Sequence, residues 1–331
     1  MLYYLLRRLI YMVIIIAAVS VVAFVIIQLP PGDYLNSYML ELMEGGAAGS
    51  DVSESEMASL RAQYGLDQPI YNQYFIWIWN IVRHGRFGRS FLYNRPVGEL
   101  IWERLALTVT ISLSTLVFVF AVSIPIGIYS AIHQYSKADY FFTVVGYAGL
   151  ATPNFLLALV LMFIGYKYLD VSVGGLFSPQ YLGSAWSLGK FLDLLSHLWI
   201  PVIVLGTAGT AGLIRVMRGC LLDELQKQYV ITARAKGLKE RPLLFKYPVR
   251  VALNPIVSTI GWSLAGLISG APIVAVVLSL PTTGPMLLAA LRAQDMYLAG
   301  TFLLLLSTFT VIGTYVSDIL LALLDPRIRM E

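Results

Sequence analysis

Long uncharged apolar runs separated by short, mostly basic polar stretches set the pattern of this chain. A helix needs about 20 mainly apolar residues at 1.5 Å each to cross a bilayer. Residues 9–29 satisfy that directly after Arg7 and Arg8, and no small-x-small cleavage pattern follows before Pro30-Pro31-Gly32-Asp33, so the run reads as a retained anchor. Further spans are expected at 105–129, at 140–166 and between His197 and Arg215. Two of these carry interruptions, Ile124-Pro125-Ile126-Gly127 and Ala151-Thr152-Pro153-Asn154-Phe155, tolerable where neighbouring helices satisfy the freed carbonyls. Val251 to Leu291 is uncharged for 41 residues, too long for one span and too short for two with an ordinary turn. Pro281-Thr282-Thr283-Gly284-Pro285 breaks it, which predicts a span at about 254–280 and leaves 281–295 at the external face. The last span is 296–324, and six crossings bring both termini to one side.

Charge decides which side. From Arg215 to Arg250 nine Lys/Arg stand against three Asp/Glu, and 14 of the chain's 23 basic residues fall in the segments that share this loop's side. Short basic loops stay in the cytoplasm, so this loop and both termini are expected there, as is the turn carrying His133, Lys137 and Asp139. Residues 30–104 are too long for that rule to constrain and read as external, as do the Gly- and Ser-rich residues 167–196. The composition agrees, with 58% hydrophobic and 13% charged residues against about a quarter charged in soluble domains. The pI of 9.0 therefore expresses membrane topology and implies no nucleic-acid partner. The single cysteine, Cys220, excludes an internal disulfide framework or a Cys-based metal cluster.

Inside the basic loop, Tyr229 to Lys236 favours a helix of two turns, with Gly237 as the left-handed residue that stops it. Ala233 and Gly237, small and four apart, leave one side nearly flat for another protein to approach. Read in order, Tyr229-Val230-Ile231-Thr232-Ala233-Arg234-Ala235-Lys236-Gly237-Leu238 resembles the EAA coupling loop of ABC importer permeases of the peptide-type branch (dipeptide, oligopeptide, nickel), with Gln228 where an acidic residue is usual. The likeness extends over nearly the whole chain, through Tyr64-Gly65-Leu66-Asp67-Gln68-Pro69, Gly85-Arg86-Phe87-Gly88-Arg89-Ser90 and Arg95-Pro96-Val97 to Asp325-Pro326-Arg327-Ile328-Arg329. Arg86 stands where the family usually has Asp, and residues 271–285 lack the acidic residue and one glycine of the family's pattern.

The resemblance implies an all-α membrane protein with the six-helix type I permease fold and a long external segment between helices 1 and 2. Residues 1–104 would hold the first helix and that segment, 105–324 the permease core with its coupling loop at 215–250, and 325–331 a cytoplasmic tail. Tyr229, Thr232, Ala233, Arg234, Ala235, Lys236, Gly237 and Leu238 would be the ATPase-coupling residues. The implied partners are a second homologous permease subunit, two cytosolic ATPases that bind the ATP, and an external solute-binding protein, in the inner membrane of a prokaryote. This chain itself would bind no cofactor and catalyse nothing. Peptides, oligosaccharides and nickel complexes are all cargoes of that branch.

Other chemistry is sparse. There is no Gly-x-x-x-x-Gly-Lys-Ser/Thr phosphate loop, no His-Glu-x-x-His and no Cys-x-x-Cys, and His84, His133 and His197 are far apart. A secondary transporter or channel would call for intramembrane charges and matched broken helices in a repeat, and no convincing repeat is visible. An intramembrane enzyme lacks a nucleophile in any motif context. Asp318, in an apolar helix, is either an ion relay or a carboxylate near the cytoplasmic end held by a neighbour; no buried partner for a relay is visible. Outside, 45–50 reads as a flexible tip, and the aromatics between Tyr71 and Val82 read either as an amphipathic interfacial helix or as a docking surface.

Overall fold

The structure, a computed structural model, describes residues 2–28, 68–169, 174–269 and 272–324. The tip at 45–50, the sequences Pro31-Gly32-Asp33 and Tyr64-Gly65-Leu66-Asp67, and the closing residues 325–329 lie outside these. The described residues are helical apart from short turns and one isolated bridge between Arg89 and Pro96. In chain order the helices are α1 (Leu2–Gln28), α2 (Ile70–His84), α3 (Val97–Ile132), α4 (Lys137–Ala151), α5 (Asn154–Leu169), α6 (Leu188–Leu225), α7 (Gln228–Ala235), α8 (Glu240–Lys246), α9 (Pro248–Ser258), α10 (Ile260–Ser269), α11 (Pro272–Val277), α12 (Thr283–Arg292) and α13 (Met296–Leu324).

Four of them, α1, α3, α6 and α13, are long and apolar enough to cross a bilayer singly. Both α3 and α6 run unbroken through their internal prolines, Pro125 and Pro201. The expected span at 140–166 is instead two helices, α4 and α5, turned 105° from each other. Pro153 disfavours helical backbone at the residue before it, and Thr152 is extended, at φ −83° and ψ 122°, with its hydroxyl turned back on the Ala148 carbonyl at 2.8 Å. The span expected at 254–280 is divided among α9, α10 and α11. At the first break the Thr259 N–H and hydroxyl both return to the Ile256 carbonyl, at 3.0 and 2.7 Å, and close a tight turn. Residues 281–295, expected only to lie at a membrane face, form α12, with Thr282 in extended backbone before it.

The chain divides into two units. The first comprises Met1–Met12, Leu107–Pro281 and Phe309–Glu331, the second Val13–Ala106 and Thr282–Thr308. The spine of the first unit is α6, whose Val204, Met217 and Leu221 are fully buried. One core gathers around Leu198 and Val204 with Ala158 and Leu278, another around Met217 and Leu221 with Ala252 and Ile256. Gly261 of α10 and Gly313 of α13 meet backbone to backbone, since a Cβ on Gly261 would lie 2.6 Å from the Thr314 Cα. Four residues away the Ser317 hydroxyl donates to the Val257 carbonyl at 2.7 Å. Small residues and hydroxyls are what hold helices together where lipid competes with any apolar contact. Asp318 is held by Arg8 at 3.2 Å, so the carboxylate has a neighbour and no relay is needed to account for it.

In the second unit, α2 does not float free. Trp77 is buried against Phe24 and Leu304, and the Tyr74 hydroxyl meets that of Ser20 at 2.8 Å. The opposite face leaves Tyr71, Phe75, Trp79 and Val82 exposed. Its aromatic run therefore serves two faces, one in the unit's core and one outward.

Candidate functional site

The basic loop folds into α7 and α8 beneath the end of α6. As expected from sequence, α7 makes two turns and Gly237 stops it in the left-handed region, at φ 81°. The Gly237 N–H donates to the Arg234 carbonyl at 3.0 Å and the Leu238 N–H to that of Ala233 at 3.4 Å, the paired bonds of a Schellman stop. A Cβ at Gly237 would meet nothing within 4 Å among the described residues, so any clash there must come from outside this chain. A side chain at 237 therefore carries the backbone penalty of a left-handed φ, while its Cβ meets no described residue.

Val230 of α7 is fully buried, Leu243 and Leu244 of α8 are buried too, and the two helices are in contact. Ala233 is half-buried, while Thr232, Arg234, Ala235, Lys236 and Gly237 are exposed. Tyr229, Ile231 and Leu238 are exposed to 40%, 47% and 39%, leaving apolar surface on a short helix in a charged loop. Two contacts fix the helix at its ends. Tyr229 donates its hydroxyl to Glu224, in the last turn of α6, at 2.5 Å. Burial and this carboxylate hold the phenol protonated well above its usual range. Arg234 grips Glu240 at the start of α8 with two bonds, at 2.6 and 3.3 Å, and the pairing raises the guanidinium's already high pKa. Exposed as it is, this pair gives geometry more than stability. The remaining contact is Thr232 to its own helix, at the Gln228 carbonyl, 2.8 Å.

The sequence singled out the helix but not its braces. Glu224 and Glu240 looked like ordinary charges in a mixed run, because their partners five and six residues away face them only once the chain turns. Asp139, expected in the short cytoplasmic turn, is 3% exposed and accepts two bonds from Arg218, at 3.1 and 3.0 Å. That pair ties α4 to α6 one helical stretch above the loop. At the other end of α6, Asp193 accepts from the Ser178 N–H and hydroxyl at 2.8 and 2.5 Å, and Lys190 donates to the Ser184 carbonyl at 2.6 Å.

Cavities flank α6. One, of about 440 Å³, is walled by Ala208, Gly209 and Gly212 of α6, Phe120 of α3, and Thr259 and Ser263. Another, of about 240 Å³, lies between α4 and α6 beside Asp139 and Arg218. Arg215, which opens the basic stretch, lines both. Small residues on α6 make the room for the larger cavity, and the helix that lines it continues to the braces of α7. No group of three His, Cys, Asp or Glu that could hold a metal occurs among the described residues.

Comparison with known proteins gives two family matches. Residues 123–330 match the binding-protein-dependent transport system inner membrane component, and residues 1–114 match the N-terminal part of such membrane components. The oligopeptide transport system permease protein AppB of Bacillus subtilis is 33% identical over 327 residues, covering 98% of this chain and 99% of that one. The dipeptide transport system permease protein DppB of Escherichia coli K12 is 30% identical over 348 residues, with 99% of each chain covered. The oligopeptide transport system permease protein OppB of Haemophilus influenzae is 32% identical over 277 residues, covering 82% of this chain and 85% of its own.

Proposed function

The chain belongs to the family of binding-protein-dependent transport system inner membrane components, as a multi-pass transmembrane permease subunit, and from that premise we propose that α7 is the surface through which separate ATPases drive it. The observation that carries this reading is the form of α7: a helix with exposed apolar residues, stopped by a left-handed glycine and braced at both ends. A push on α7 passes through Tyr229 and Glu224 into α6, and α6 lines the 440 Å³ cavity. ATP binding would close the ATPases, move α7 and switch the cavity's access. Tyr229, Ile231, Ala233, Gly237 and Leu238 supply the contact surface in this scheme, and Arg234 is a positioning residue.

The cargo we infer is a peptide or a similar small solute, because the relatives bear oligopeptide and dipeptide names. This chain pairs with a second permease subunit, binds no nucleotide or other cofactor of its own, and receives cargo from an external solute-binding protein. Both termini and the 215–250 loop are cytoplasmic. The test uses the assembled transporter in proteoliposomes. Gly237→Val should leave membrane levels normal while ATPase co-purification and ATP-driven uptake fall sharply. Uptake that survives without the ATPases and collapses with a protonophore would instead establish a gradient-driven transporter.

A further inference from the structure

We propose that the second unit carries a binding site for the phosphate of an anionic phospholipid, formed by Arg86 and Arg89 at the end of α2. The site is a cavity of about 340 Å³ walled by Trp77 and Asn80 of α2, by Arg86, Gly88 and Arg89 of the turn after it, and by Tyr297 of α13. Two arginines line it, and no acidic residue does among the described residues.

The turn that presents the arginines is built to hold them there. Gly85 closes α2 with φ 62°, its N–H on the Ile81 carbonyl at 3.0 Å and that of Arg86 on the Asn80 carbonyl at 3.1 Å. Gly88 has φ 90°, and a Cβ on it would lie 2.7 Å from the Tyr297 ring, so bare backbone rests on that ring. The turn is then closed by Ser90 N–H to the Arg95 carbonyl, 2.9 Å, and Val97 N–H to the Gly88 carbonyl, 3.0 Å. Arg89 spends Nε and Nη2 on the neutral Asn94 carbonyl, at 3.2 and 2.9 Å, and Arg86 has no ion pair among the described residues. The Trp77 indole N–H is buried without an acceptor among the described residues. The positive charge is therefore in place and has no carboxylate partner among the described residues.

Membrane depth selects the anion. On its inner face α2 packs against Ser20 and Phe24, which lie in the last turns of the apolar window Leu6–Val25 of α1. The helix is thus at the edge of the hydrocarbon layer. Its outer face, Tyr71, Phe75, Trp79 and Val82, is exposed to 64%, 66%, 57% and 78% in the chain alone. Aromatic side chains at that depth lie among headgroups and upper acyl chains, which leaves the adjoining arginines level with the phosphates. A planar guanidinium pairs with phosphate oxygens two at a time. This assigns α2 a lipid on its outer face, and to the cavity at its end a headgroup.

The experiment measures phosphatidylglycerol retained by the detergent-purified transporter, by native mass spectrometry, against phosphatidylcholine at equal concentration. Arg86→Gln, which removes no bond within the described residues, should lower phosphatidylglycerol retention about fivefold, the worth of one basic residue at an anionic membrane surface. Arg83→Gln, one turn earlier and outside the cavity, should change it little. Equal losses in the two variants would reduce the effect to diffuse charge and overturn the site. Displacement of the lipid by millimolar inorganic phosphate would assign the cavity to a free anion and likewise overturn the lipid. Unchanged lipid retention in Arg86→Gln, with weakened capture of an external solute-binding protein, would make it a protein-docking surface instead.

Discussion

Asp295 shows how one carboxylate can organise a unit. It caps α13, accepting from the Leu298 N–H at 3.1 Å, and it also holds the 90–92 turn through the Ser90 hydroxyl at 2.5 Å and the Leu92 N–H at 3.1 Å. It is fully buried. Burial pushes its carboxyl above the ordinary value of 3.8, and the bonds from Ser90, Leu298, Leu92 and Phe91 pull back part of that shift. Asp295→Ala would leave buried donors without an acceptor, at about 1–3 kcal/mol each, and should lower the thermal midpoint of the detergent-solubilised protein. The pH dependence has a definite sign. A folded-state pKa raised above the unfolded one gives a contribution that is complete below the unfolded value and lost as pH rises through the folded one. The parent should therefore gain stability relative to Asp295→Asn on going from pH 7 toward pH 4, and a gain in the opposite direction would show that the hydrogen bonds outweigh burial. The sequence carried a faint sign of this residue, an Asp directly before an apolar run, which is a helix-capping pattern. The link to Ser90 was invisible, because 205 positions separate the two.

At the scale of elements, what could be read from sequence was whatever the chain punctuates with Pro, Gly or charge. The two-turn α7 and its glycine stop were legible because local rules determine both. The break at Thr259 was not, since an uncharged stretch reads as one span whether or not it is continuous. Conformation at Gly237 can be separated from contact. An alanine there has space within the chain but still adopts a left-handed φ, at about 1 kcal/mol. Gly237→Ala should thus keep most ATPase retention while Gly237→Val loses it; equal retention by both would remove 237 from the contact surface. The crossing of α10 and α13 gives the converse case. At Gly261 a Cβ meets the backbone of residues 313 and 314, which cannot rotate aside. Gly261→Ala should therefore lower the thermal midpoint clearly, although the substitution favours helix formation locally. An unchanged midpoint would mean that the two helices separate without cost.

For the molecule as a whole, the number of crossings determines where everything else faces. Among the described residues four helices are long and apolar enough to cross singly, and the bent α4–α5 pair and the divided α9–α11 stretch are the two open members of the count. If each crosses once, the total is six and the termini share a side; if only one does, the total is odd and they do not. Charge favours the even count, because the 215–250 loop, the 133–139 turn and both termini are basic or mixed, the composition of short cytoplasmic segments. Single cysteines in a Cys220→Ser background can test each crossing separately. Ser184, Lys239 and Arg292 are exposed, the first in the loop before α6, the second between α7 and α8, and the third at the end of α12. In intact cells a membrane-impermeant maleimide should label Ser184→Cys and Arg292→Cys and spare Lys239→Cys until the membrane is opened. Protection of Ser184→Cys with labelling of Lys239→Cys would mean that α4–α5 turns back without crossing and that α6 enters from the wrong side. Protection of Arg292→Cys together with Lys239→Cys, while Ser184→Cys is labelled, would mean that α9–α11 returns to the cytoplasm. Either result would move α7 or α13 relative to the membrane, and an α7 that faces outward could receive no drive from a cytosolic ATPase.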